Sequence, residues 1–151
     1  QQEHGIRPGT IPVALVAGCG KACEIVGQEY KKNKENAEII KAAIIKELDN
    51  SGIDYSFNGN QEFCVDTTLN VSLHGVSSEA LMISTKQFCS ISNGSACTSR
   101  SYSPSYVLVA MGIDSDTIES SVRISWGPDT NLDDVKKEVV ALLKVAKQIK
   151  S

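Results

Sequence analysis

The sequence predicts a mixed α/β (α+β) fold, a mostly antiparallel sheet covered by helices. Three observations predict it. Residues 67–73 and 121–126 alternate in polarity with the period of two that a half-buried strand requires. Residues 13–26 and 39–48 repeat apolar side chains at helical spacing. Residues 132–149 carry a longer helical stripe, which reads as a terminal helix laid on the sheet.

Each element follows in order. Residues 1–10, Gln-Gln-Glu-His-Gly-Ile-Arg-Pro-Gly-Thr, are polar and rich in turn formers, so residues 1–12 read as a connection. Pro12 sits where a first helical turn tolerates it, and Val13, Val16, Cys19, Ala22, Cys23 and Val26 follow as a stripe. Gly18, Gly20 and Gly27 weaken that helix. A charged stretch from Lys31 to Glu35 then separates it from a second helix striped by Ile39, Ile40, Ala43, Ile44 and Leu48. The Lys and Glu residues between those positions read as a solvated face. Asn50-Ser51-Gly52 ends the helix.

Residues 53–57 read as a short strand. In residues 67–73, Leu69, Val71 and Leu73 share one face. Ser77 or Ser78 caps a short helix through Lys86, and residues 88–91 read as a further strand. Ser103-Pro104 opens another short helix that Gly112 closes. In residues 121–126, Val122, Ile124 and Trp126 point one way and Ser121, Arg123 and Ser125 the other. Thr130 and Asn131 are cap candidates for the last helix, with Asp133 and Asp134 in its first turn and Leu132, Val135, Val139, Leu142, Leu143, Ala146 and Ile149 as its stripe. Residues 13–151 form one small domain on this basis.

Composition narrows the function. The chain has 151 residues, 41% hydrophobic and 22% charged, enough for a real core. Fifteen basic against eighteen acidic residues leave a net charge of −3, so direct nucleic-acid binding is not expected. No apolar run approaches a membrane span. Five cysteines without regular spacing argue against a secreted disulfide framework and for a reducing, cytoplasmic compartment. Cys19 and Cys23 lack two further nearby ligands, so no metal site is expected. Cys19, Cys23, Cys64 and Cys89 read as small apolar core residues.

Cys97 differs from those four. It stands within Ser92-Asn93-Gly94-Ser95-Ala96-Cys97-Thr98-Ser99-Arg100-Ser101, a nearly all small and polar stretch with no hydrophobic period. That setting, a loop at about residues 92–103, suits either a reactive thiol or an ordinary surface one. Arg123 is the second lead. A guanidinium on a rigid strand can clasp a carboxylate with both of its edges, or can serve a structural ion pair. Residue types alone favour the ion pair.

Four blocks in order decide further: Gln2-Glu3-His4-Gly5-Ile6-Arg7-Pro8-Gly9-Thr10, then Asn93-Gly94-Ser95-Ala96-Cys97-Thr98-Ser99, then Pro104-Ser105-Tyr106-Val107-Leu108 with Met111-Gly112, then Ser120-Ser121-Val122-Arg123-Ile124-Ser125. Together with Asn70 to Ser72 they resemble the carboxy-terminal part of cysteine desulfurases, class V aminotransferase-like enzymes. The resemblance implies the small carboxy-terminal domain of a fold-type I pyridoxal 5'-phosphate enzyme, homodimeric when complete. It implies conversion of L-cysteine to L-alanine, with the sulfur carried as a persulfide on Cys97 and passed to an acceptor protein. Arg123 then matches the residue that holds the substrate α-carboxylate, and Thr10 one that reaches the cofactor phosphate of the neighbouring subunit.

The departures are equally specific. The family's Schiff-base lysine, in a Ser-x-His-Lys pattern, has no counterpart: His4 and His74 are the two histidines, and neither precedes a lysine. The expectation is therefore a carboxy-terminal piece of a longer enzyme, which alone neither holds the cofactor covalently nor turns over cysteine. The alternative is a non-catalytic sulfur-relay or partner-docking domain. The acceptor, whether an iron–sulfur scaffold, a tRNA-thiolation partner or a DNA sulfur-modification partner, stays open.

Overall fold

The computed structural model describes residues 2–94 and 104–150. They fall into two units, residues 1–35 and 36–151. In the first, the Gln2 amide donates to the Arg7 carbonyl across a tight 3-10 turn, Glu3–Gly5. An exposed segment follows, and Pro12 immediately precedes helix α1, Val13–Ser51.

The two helices expected here are one. Residues 28–36 contain neither proline nor glycine and are mostly Lys, Glu, Gln and Asn, so nothing in the charged stretch breaks the hydrogen-bond ladder. The stripe expected along residues 13–26 is exposed, including Val13, Leu15, Val16 and Val26. Cys19 and Cys23 are exposed with it, which corrects their placement in a core.

The second unit holds the hydrophobic core. Ala37, Ile40, Ile44 and Leu48 are buried along one line of α1, whereas Ile39, expected in that stripe, is 54% exposed. Spacing explains the error: positions 37, 40, 44 and 48 close one face, and 39 lies off it. Lys41 is a second correction. It is buried rather than part of the solvated face, and its Nζ donates to Asp66 Oδ1 at 3.3 Å. At the helix end, Ser51 Oγ donates to the Leu48 carbonyl and accepts from the Ile53 amide, while Gly52 takes the positive φ of 71° that turns the chain.

The sheet has three strands in the order β1 (Tyr55–Phe57), β2 (Thr68–Leu73), β3 (Ser121–Ser125), antiparallel throughout. Leu69, Val71, Leu73 and Val122 pack from one face against Ile40, Ile44 and Leu48 of α1. Leu142, Leu143 and Ala146 of α5 (Leu132–Ile149) belong to the same core. The Asn131 side chain caps α5 by accepting from the Asp133 and Asp134 amides. Ser77, rather than Ser78, caps α2 (Ser78–Thr85). Two short helices follow, α3 (Tyr106–Ala110) and α4 (Ser115–Glu119). The second was not expected. Its cap is Asp114, whose carboxylate accepts from the Thr117 amide at 2.9 Å and is held below its ordinary pKa by the Thr117 backbone and side-chain donors.

The strand expected at residues 88–91 does not form. The Phe88 and Cys89 amides are already committed to the Thr85 carbonyl in the turn after α2, and of described residues 86–94 Ser92 alone pairs with β3, on the edge away from β2. No helix among the described residues is long and apolar enough to cross a membrane.

Candidate functional site

The open face of the sheet is built from alternate residues of β2 and β3. Leu69, Val71 and Leu73 face the core, so Thr68, Asn70 and Ser72 face away, as do Ser121, Arg123 and Ser125. The register sets them in opposed pairs: Thr68 with Ser125, Asn70 with Arg123, and Ser72 with Ser121. Asn58, just past β1, closes the third side.

A hydrogen-bond network pins this face. Asn58 Nδ2 lies 2.8 Å from Asn70 Oδ1, 2.8 Å from Ser72 Oγ and 2.9 Å from Ser121 Oγ. Ser72 Oγ and Ser121 Oγ stand 2.7 Å apart, and both donate to the Thr117 carbonyl at 2.9 and 2.8 Å. Ser120 Oγ donates to the same carbonyl. Ser72 and Ser121 are fully buried, so each hydroxyl needs these partners to offset its lost hydration.

Arg123 stands at the exposed end of the network. Its guanidinium makes no ion pair or hydrogen bond among the described residues, so the structural ion pair favoured by residue type is absent there. Its backbone is doubly engaged. The Arg123 amide donates to the Ser92 carbonyl at 2.6 Å, and the Ser92 amide returns a bond to the Arg123 carbonyl at 3.1 Å. Ser92 opens the cysteine-bearing stretch, so the start of that stretch is tied to the strand carrying the arginine. Asn93 adds a contact to Ser78 Oγ at 3.5 Å. Cys97 itself lies outside the described residues. Thr10 is exposed in the segment before α1, in the other unit from Arg123.

Cys89 is the cysteine nearest to Cys97 in sequence. Burial pushes its thiol above the ordinary pKa, with a smaller rise from the Glu138 charge, against a hydrogen bond with Thr85 that lowers it. A thiol held protonated is a poor nucleophile. It borders a cavity of about 250 Å³ lined by Ile44, Ile91, Ile124, Trp126 and Leu142, with Glu138 at its wall. That cavity lies on the core side of β3 and is lined by no lysine or arginine among the described residues. A carboxylate there would be desolvated and unpaired, so the open face is the better candidate.

Sequence inspection missed the network. Asn70 and Ser72 were visible only as part of a strand, and Asn58 carried no local signal beyond the turn pair Asn58-Gly59. Their chemistry arises from the register, which no local pattern shows.

A mixed α/β domain with one polar, arginine-bearing sheet face is the class these features define. The chain belongs to the aminotransferase class-V family, whose model matches residues 1–137. It is 36% identical over 149 residues to a cysteine desulfurase of Pongo abelii, across 99% of this chain and 32% of the relative. It is 38% identical over 149 residues to the cysteine desulfurase IscS of an Anaeromyxobacter species, across 98% of this chain and 36% of the relative. Among solved structures, a NifS-like protein superposes with a TM-score of 0.78 at 22% identity, covering 97% of this chain and 37% of that one, a likeness of fold. The chain thus spans about a third of the length of the curated relatives it matches.

The family is generally dependent on pyridoxal phosphate. The residues present do not by themselves fit that group. Among the described residues no lysine stands on the open sheet face or in the cavity beside Cys89, and the buried Lys41 is engaged by Asp66.

Proposed function

We propose that the chain is the carboxy-terminal part of a cysteine desulfurase, with residues 1–12 a connection and residues 13–151 the small domain. In this reading pyridoxal 5'-phosphate is held mainly outside the chain, and the Thr10 hydroxyl contacts the cofactor phosphate of the neighbouring subunit in a homodimer. Arg123 holds the α-carboxylate of L-cysteine. The Cys97 thiolate attacks the substrate sulfur. An S–S bond forms as the Cβ–S bond breaks, its electron pair stays on carbon, and a proton taken up there completes L-alanine. The persulfide on Cys97 then passes its outer sulfur to an acceptor protein.

The observation that supports this reading best is the pair of backbone hydrogen bonds between Ser92 and Arg123. It ties the entry of the cysteine stretch to the residue best suited to grip the substrate, whose guanidinium has no partner among the described residues.

The test uses the complete enzyme. Cys97→Ser is expected to keep cofactor absorbance and substrate binding while losing persulfide formation, read by alkylation and mass spectrometry. Full sulfur transfer by that variant would remove Cys97 from the mechanism. Arg123→Ala is expected to weaken cysteine binding by about 2–5 kcal/mol, because the substrate carboxylate loses its cationic partner.

A further inference from the structure

Arg123 does not face the open sheet surface alone. Its N–H and C=O both point to Ser92, so its pairing with Asn70 on the other side is of the non-hydrogen-bonded kind. In such pairs the Cα atoms stand about 4.5 Å apart and the side chains approach most closely. The Asn70 carbonyl points the other way, accepting from the Asn58 amide at 3.0 Å. Both side chains rise from the same face of the sheet.

The polarity of the network fixes which end of the Asn70 amide is available. A backbone carbonyl only accepts, so the two seryl protons serve the triangle of Ser72 Oγ, Ser121 Oγ and the Thr117 carbonyl, and the seryl lone pairs face Asn58. Asn58 meets them with its NH2 group, and the same group faces Asn70 Oδ1. The Asn70 oxygen is thereby committed. Its NH2 group makes no hydrogen bond among the described residues, and it belongs to the residue that directly opposes Arg123, whose guanidinium is likewise without a partner among them. Two sets of donors on opposed residues of one face, with no acceptor engaged to either among the described residues, suit an anion.

We infer that Asn70 is a second residue that binds the substrate carboxylate, donating through Nδ2 beside Arg123, and that Asn58 is its positioning residue. This rests on the reading of Arg123 as the carboxylate grip. A carboxylate has two oxygens and more lone pairs than one arginine edge engages, and the amide supplies a further donor at a fixed place. Turning the Asn70 amide over would instead present an oxygen to the carboxylate, which repels it. Asn58 prevents that inversion.

The test is steady-state kinetics of alanine formation in the complete enzyme, with thermal unfolding of every variant. Arg123→Ala is expected to raise KM for L-cysteine about thirtyfold or more. Asn70→Ala is expected to raise KM about tenfold with kcat nearly unchanged, the mark of a lost binding contact. Asn70→Thr serves equally if the alanine variant folds poorly, since threonine suits a strand and lacks the NH2 group. Asn58→Asp takes away the donors that the two seryl oxygens and Asn70 Oδ1 accept from, and its carboxylate draws the Asn70 NH2 inward, so KM is expected to rise at least as much as in Asn70→Ala. In an Asn70→Ala background the same Asn58→Asp change should add less than twofold. An unchanged KM in Arg123→Ala would remove the arginine reading itself. A raised KM in Arg123→Ala with less than a twofold change in both Asn70 variants would overturn the role of Asn70 alone. Full additivity of the two asparagine changes would overturn the positioning role of Asn58.

Discussion

The two faces of the same three strands follow opposite rules. On one, Leu69, Val71, Leu73 and Val122 are almost completely buried among helical side chains, and stability comes from removing apolar surface from water. On the other, Asn70, Ser72, Ser121 and Arg123 form a graded polar surface, buried at the serines and open at the arginine. The first face tolerates no cavity. The second ends in an arginine that no neighbour among the described residues uses. Alternation along a strand thus separates the residues that hold the fold from those free to bind.

This contrast can be broken most forcefully from the apolar side. Leu73→Ala is expected to cost about 2–5 kcal/mol in denaturant unfolding, because the side chain is 1% exposed within the core. Arg123→Ala should leave unfolding within about 0.5 kcal/mol of the parent while weakening substrate binding. Comparable losses in stability from both substitutions would show that the two faces are not separate in function.

Ser72→Ala probes the boundary between them. It removes one of the three acceptors around the two Asn58 Nδ2 protons and one of the donors to the Thr117 carbonyl, so a loss of about 0.5–1.5 kcal/mol is expected. A neutral outcome would mean that the network orients side chains without contributing to stability.

The smallest effect concerns pH at the first strand. The Tyr55 hydroxyl is pushed up to about 12, chiefly by burial, and then by its hydrogen bond to Asp49 and that group's charge. The folded state therefore keeps its proton longer than the unfolded chain, whose tyrosines ionise near 10. Stability is whole below pH 10 and falls as pH rises from 10 towards about 12. Absorbance titration should show a component near pH 12 that disappears in Tyr55→Phe. Four tyrosines titrating together would contradict this.

Much of the fold was legible because alternation and helical stripes are imposed by burial itself. The strands at residues 68–73 and 121–125 and the terminal helix were read to within a residue or two for that reason. The continuity of α1 was not legible from apolar spacing, since its charged middle has no stripe and yet consists of good helix formers. Arg123 could be singled out because a cation interrupts an apolar pattern. Asn58 could not, because its role depends on partners 12, 14 and 63 positions away. Cys97 was visible through the composition of its surroundings, and its placement lies outside the described residues.

The paired serines have one more consequence. Slipping β3 by a single residue against β2 would turn Arg123 toward the apolar interior and carry Ser121 away from both Ser72 and the α4 carbonyl. Misalignment would strand a charge in oil and orphan two hydroxyls at once. The seryl pair therefore acts as a gauge against that slip and keeps the guanidinium facing water.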